Sequence, residues 1–262
     1  MSASIARDRK TAEPEPDRVV ATGARLDAAE TGWPHPLDNP ARSSLTGPHA
    51  HFAEQRGNIL RYPVDVSSFV ALPEVPTAQD WADIATLADP DGFVPLIGVA
   101  VPPPAGWEVQ IHGAGVQMVD DGVAAVADEE AIRLTGADVP DMLALTQRTK
   151  PGPFLPRTIE LGTYLGIRRH GELVAMAGER LHPPGWTEIS AVCTAAAHRG
   201  QGLATRLVRA VAAGIRARGE TPFLHAAADN TNAIRLYESL GFRLRQTVTF
   251  KTARVPDDVA VG

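Results

Sequence analysis

Residues 195–202 form the turn where this chain is best equipped for chemistry. Just before it, Ile189, Ala191 and Cys193 alternate with Glu188, Ser190, Val192 and Thr194, the period of two of a β-strand. Just after it, Leu203, Leu207, Val208, Val211 and Ile215 recur at helical spacing. A strand that passes through a glycine turn into a helix is a ready-made anion site. The first helical turn carries unpaired N–H groups and about half a positive charge. Glycine lets a phosphate approach the backbone. The predicted donors are the main chain of Arg199, Gly200, Gln201, Gly202, Leu203, Ala204 and Thr205. His198 and Arg199 add positive charge beside them. Three reactive side chains accompany the turn. Glu188 precedes Val192 by four residues, so a regular strand puts both on one face. Cys193 has no adjacent His or Lys to lower its thiol pKa, which predicts an inert, buried cysteine. Tyr237 has a phenol that stays protonated at neutral pH and can give up that proton.

The pattern Arg199-x-x-Gly202-x-Ala204 resembles the acyl-CoA pyrophosphate loop of the GCN5-related N-acetyltransferases, the GNAT superfamily. A short glycine pattern alone is weak. Further on, Asn230, Ala233, Leu236, Tyr237, Leu240, Gly241 and Phe242 form Asn-x-x-Ala-x-x-Leu-Tyr-x-x-Leu-Gly-Phe. This run looks like the fourth helix and last strand of the same family. The resemblance covers about residues 130–252 and is closest to the FR47-like branch. It implies a mixed, mostly antiparallel sheet flanked by helices, an α/β (α+β) fold, with acetyl-CoA as cosubstrate.

It also implies roles. An amine must be neutral to attack a thioester, and at pH 7 a lysine-like amine with a pKa near 10.4 pays about 4.6 kcal/mol to become so. A carboxylate that accepts the proton contributes about 10²- to 10⁴-fold. Glu188 is the first candidate and Glu179 the second, Glu179 being also a candidate acceptor contact. Backbone N–H groups of Val192, Cys193 and Thr194 would hold the pantetheine arm and the oxyanion, provided a bulge frees one of them. Tyr237 matches the family's general acid. Asn230 would cap its helix and reach the cofactor arm. Residues 150–158, rich in proline, border the acceptor pocket in the family, which makes Phe154 and Arg157 candidate acceptor contacts. A pocket closed by Phe154 and Trp186 favours a small amine or amino-acid-like acceptor; an open acidic trough favours a protein N-terminus or lysine. A CoA-binding regulator without catalysis is the third possibility.

These residues need elements to position them. Residues 1–44 are rich in Pro, Ala and charge without a sustained period and read as a disordered segment. Pro48 can open a helix running to about residue 56. Thr77, with Asp80 three residues on, caps a helix. Residues 93–101 read as an edge strand, and 107–111 with 116–119 as a hairpin around glycine. Residues 45–127 therefore form a small N-terminal α/β subdomain, whose element order permits a degenerate half of the same fold. Residues 128–254 form the catalytic domain, followed by a tail, 255–262. Within it come a short strand at 131–134, a helix from Asp138, and a hairpin turning at His170 and Gly171.

Composition bounds the rest. The 262 residues carry 44% hydrophobic and 21% charged side chains, a formal charge of −6 and one cysteine. With no basic block, neither nucleic acid nor an anionic membrane is an expected partner. The single cysteine excludes an internal disulfide and suits the cytoplasm. Neither a membrane span nor a signal peptide is expected. His49 and His51 are two apart and cannot share a metal on one helix face, so no metal is expected. A monomer and a homodimer remain equally open.

Overall fold

A computed structural model describes residues 35–88, 92–96 and 101–256. Its main body is an eight-stranded sheet in the order β4-β11-β5-β10-β9-β8-β7-β6. The strands are β4 (Phe93–Pro95), β5 (Glu108–Asp120), β6 (Ile132–Arg133), β7 (Tyr164–Arg169), β8 (Glu172–Glu179), β9 (Trp186–Thr194), β10 (Thr221–Ala227) and β11 (Phe242–Arg254). β9 and β10 run parallel, and the other neighbours are antiparallel. A smaller three-stranded sheet joins β1 (Glu54–Arg56), β2 (Ile59–Arg61) and β3 (Val70–Ala71).

Each face of the large sheet is covered by what its side chains demand. On one face lies α4 (Leu203–Ala217), whose Leu203, Leu207, Val208, Val211 and Ile215 meet Ile167, Val174 and Ile189. Beside it α5 (Thr231–Leu240) contributes Tyr237 to the same core. On the opposite face α3 (Val139–Thr149) sets Met142 and Leu145 against Leu173, Met176, Ala191 and Cys193. The rest of that face is roofed by N-terminal residues, with Leu37, Ala41, Leu45, Tyr62 and Val66 packed on Val119, Leu181 and Phe223. The third N-terminal helix-borne group, Trp81 and Ile84 of α2 (Ala78–Leu87), packs with Val94, Leu96 and Ala253.

Several local predictions hold. The Thr77 hydroxyl accepts from the Asp80 N–H while the Asp80 carboxylate accepts from the Thr77 N–H, closing a capping box on α2. His170 and Gly171 both take positive φ, as a two-residue hairpin turn requires. Others need correction. Residues 1–34 of the segment expected to be disordered lie outside the described residues, but 35–44 are built into the fold. Helix α1 (Pro40–Leu45) starts at Asn39, whose side chain accepts from the Arg42 N–H and donates to the Leu72 carbonyl. The helix expected from Pro48 is instead a single 3-10 turn, Ala50–Phe52, followed by β1. The hairpin expected within 107–119 is one continuous strand, β5, because β11 pairs along its whole length. Gly115 leaves there the space that the Phe250 ring occupies. Since β4 and β5 belong to the large sheet, residues 45–127 do not form a separate body. Of the tail expected at 255–262, residues 257–262 lie outside the described residues.

Candidate active site

The parallel pairing of β9 with β10 runs only from Trp186↔Thr221 to Ile189↔Leu224. Beyond it β9 continues to Thr194 against β8, and β10 continues to Ala227 against β5. Two parallel strands thus diverge and leave backbone on facing edges. At the point of divergence β9 bulges. Ser190 pairs with Gly178 and Cys193 with Met176, so two residues of β9 oppose one of β8, and Ala191 takes a φ of 53°.

The bulge also overturns the predicted faces. Ile189 and Val192 both lie against the α4 core, whereas Ala191 and Cys193 lie in the α3 core. Glu188 therefore does not share a face with Val192, because the extra residue inverts the alternation between them.

Past Thr194 the chain makes a 3-10 turn at Ala196–His198 and enters α4 through Gly200 and Gly202, at φ of 77° and 73°. Both glycines are demanded by that left-handed geometry rather than by crowding, since nothing stands within 4 Å of where a Cβ would be. Gly202 caps α4, and the first intrahelical bond runs from the Arg206 N–H to its carbonyl. No side chain caps the amides of Leu203, Ala204 and Thr205, and no acidic residue occupies the first turn. Arg199 folds back, its Nε 3.4 Å from the Thr194 carbonyl. Arg206 is tied to Asp128 and Glu130, which fixes the helix start against the loop leading into β6. The turn suits a diphosphate and holds no competing anion of its own.

On the far side of the cleft, Asn230 caps α5 by accepting from the Ala233 N–H at 3.2 Å. Tyr237 is 7% exposed, lies edge-on to Phe242, and burial pushes its phenol up to about 12. It is protonated throughout the neutral range.

Glu188 is fully buried and fully engaged. Its carboxylate accepts from Arg180 Nε and Nη2 at 2.8 and 2.7 Å, and pairs with His225 Nδ1 at 2.7 Å. Burial alone would raise its pKa; the Arg180 charge, with hydrogen bonds from Arg180 and His225, outweighs that and brings it to about 2. The network continues across the sheet. His225 Nε2 lies 3.1 Å from Gln117 Nε2, which also donates to the Leu37 carbonyl. The Gln117 oxygen accepts from Arg245, and Arg245 pairs with Asp38. Because the Gln117 nitrogen can only donate, His225 accepts at Nε2 and donates from Nδ1 to Glu188. No sequence signal joins these residues, which come from four strands, the residue that follows β8, and the N-terminal segment.

Glu179 is likewise buried, accepting from the Thr163 N–H and from Arg218. Phe154 packs edge-on to Tyr164 in the α3 core, in the cluster that contains Ala191 and Cys193. Arg157 is bound to Glu160 and Asp65 rather than left open to an acceptor. Cys193 is buried, and burial pushes its thiol up to about 11 against the hydrogen bonds from Thr149 and Met176. It is no nucleophile at neutral pH. His49 is buried between the Tyr62 hydroxyl and the Leu161 carbonyl, and no cluster of metal ligands occurs among the described residues.

A bulged strand, a diverging parallel neighbour and an uncapped glycine turn thus stand together at one end of the sheet. The FR47-like protein family matches residues 164–252. An acetyltransferase from Novosphingobium aromaticivorans, described as of the GNAT family, is 41% identical over 84% of this chain and 99% of its own, with a TM-score of 0.76. A Drosophila protein shares the fold at 16% identity and a TM-score of 0.55, covering 79% of each chain. A search of curated proteins returns no match. The chain belongs to the GNAT family of acetyltransferases.

Proposed function

We propose that this protein transfers the acetyl group of acetyl-CoA to a primary amine of a small or amino-acid-like acceptor by direct attack. The observation that carries this reading is the divergence of β9 from β10 at Ile189↔Leu224, beside the uncapped first turn of α4. Amides of 200–205 would hold the diphosphate, with Arg199 adding charge, and the edge at Val192, Cys193 and Thr194 would pair with the pantetheine arm. Asn230 would hold the α5 end of the cleft. Acetyl-CoA supplies the activated thioester; the chain's own groups orient it and manage protons.

Tyr237 returns a proton to the departing thiolate. Glu188 is a poor proton acceptor with a pKa near 2 and its lone pairs engaged. Its role in this reading is to hold His225 beside the cleft, and the amine loses its proton to water before attack.

A small acceptor is favoured by how residues 154–158 are tied down and their charges already paired. The Arg157 N–H donates to the Asp65 carbonyl, the Thr158 hydroxyl donates to the Val66 carbonyl, and Phe154 and Trp186 are packed against neighbouring cores. The open cleft that borders this segment is lined by Arg133, Val139, Pro156, Ile159 and Glu160, and its carboxylate is already paired with Arg157. A screen of amines followed by thiol release tests the proposal. Turnover of small amines with none on peptides is expected; turnover confined to peptides or proteins overturns it.

A further inference from the structure

β5 outruns its neighbour β10. Their ladder ends at Gly115↔Ala227, whereas β5 extends back to Glu108 with β11 alone beside it. Among the described residues, no strand pairs with the other edge of residues 108–113. Side chains 108–112 are all exposed, Ile111 at 71% and Val109 at 43%. Phe250, half-buried, fills the space beside Gly115 on the other face, because the register shift between Gly113 and Ile111 puts Val109 and Ile111 with Ala253 and Lys251. An edge of this kind, carrying β-branched side chains and neither Pro nor Lys, is a template for another strand.

The sequence of this edge is complementary to itself. In an antiparallel pairing centred on Gln110, Glu108 stands opposite His112 and Val109 opposite Ile111. Val109 and Ile111 of both strands then share one face, since opposed residues point the same way. Shifting the centre by one residue either way sets Gln110 against His112 or Glu108 and loses the acid–imidazole pair. His112 Nε2 is 2.9 Å from the Thr252 hydroxyl, which leaves Nδ1 for a partner.

We propose that the partner of this edge is a second copy of the same chain, joined through residues 108–113 into a two-fold symmetric dimer with a sheet continuous across both. The pairing uses one patch on both subunits, as a two-fold interface must. It does not depend on the acyl-transfer reading.

Sedimentation velocity on the full-length protein, over a concentration range spanning micromolar, tests it. A reversible dimer is expected. Ile111→Lys should give a monomer with unchanged melting temperature, because the side chain is exposed. His112→Glu sets carboxylates opposite each other twice and should weaken the dimer about tenfold. Adding Glu108→Lys to it should restore the dimer. A wild type that stays monomeric overturns the proposal. So does a dimer indifferent to Ile111→Lys, or a double variant that stays weak.

Discussion

The Glu188–Arg180 pair sets a pH dependence that can be worked from the structure. Glu188 falls from its ordinary 4.5 to about 2 in the folded protein. Since the folded pKa is the lower one, the stabilisation is present above about 4.5 and is lost as pH falls through 2. A shift of that size corresponds to about 3 kcal/mol at neutral pH. For a chain of this length, that is on the order of 6–12 °C in melting temperature. Other carboxylates, among them Asp128, Asp138 and Asp80, are also held low by their partners and add to the acid limb. The measurement is therefore a difference. Denaturant unfolding of wild type and Glu188→Gln from pH 7 to pH 2.5 should show the wild type losing about 3 kcal/mol more than the variant. At pH 7 the variant itself should be destabilised by about 3–5 kcal/mol, because Arg180 keeps a buried charge without its counterion. Removing that charge too, in Arg180→Met with Glu188→Gln, should recover part of the loss. Parallel acid limbs for wild type and Glu188→Gln would refute the reasoning, since the carboxylate would then titrate no lower folded than unfolded.

Tyr237→Phe should lower kcat by at least tenfold with little change in acetyl-CoA affinity, read by steady-state kinetics and calorimetry; retained kcat removes the phenol as the acid. Gly202→Val should abolish measurable acetyl-CoA binding, because φ of 73° strains any side chain and the first-turn amides move with it; unchanged calorimetric binding means that the turn does not hold the diphosphate. Cys193→Ala should keep kcat within a few-fold, and loss of all turnover with the fold intact would point to a covalent route through the thiol. With an alkylamine acceptor, log kcat/KM should rise by about one per pH unit from 6 to 9, as the neutral amine becomes more abundant; a plateau near pH 7 would reveal an enzyme group taking the proton.

The elements most legible in the sequence were those whose cause is local. The Thr77–Asp80 capping box, the His170–Gly171 turn and the glycine entry to α4 each rest on backbone geometry that a few adjacent residues dictate. What escaped depends on strands meeting across the sheet. Gly113 and Gly115 look like a turn until β11 is known to run alongside and Phe250 to need the space. Pro40 begins a helix because Asn39 can reach Leu72, thirty-three residues away. Even a correct strand assignment for 188–194 gave the wrong faces.

That last failure shows where the site itself was hidden. A strand with a strict period of two would have presented Glu188 and Val192 together, one as base and one as cofactor edge. The bulge at Ala191 separates them. It sends Val192 toward α4 and turns Glu188 inward, where Arg180 and His225 claim every lone pair in reach. A bulge costs one residue and leaves no mark in composition, yet it decides which side chains a substrate can meet. The partners of Glu188 lie eight residues before it and thirty-seven after, so only the register of β8, β9 and β10 brings them together. The carboxylate that sequence made a catalyst is thus better placed as a fixed anion, and in the proposed reaction the proton chemistry falls to Tyr237 and water.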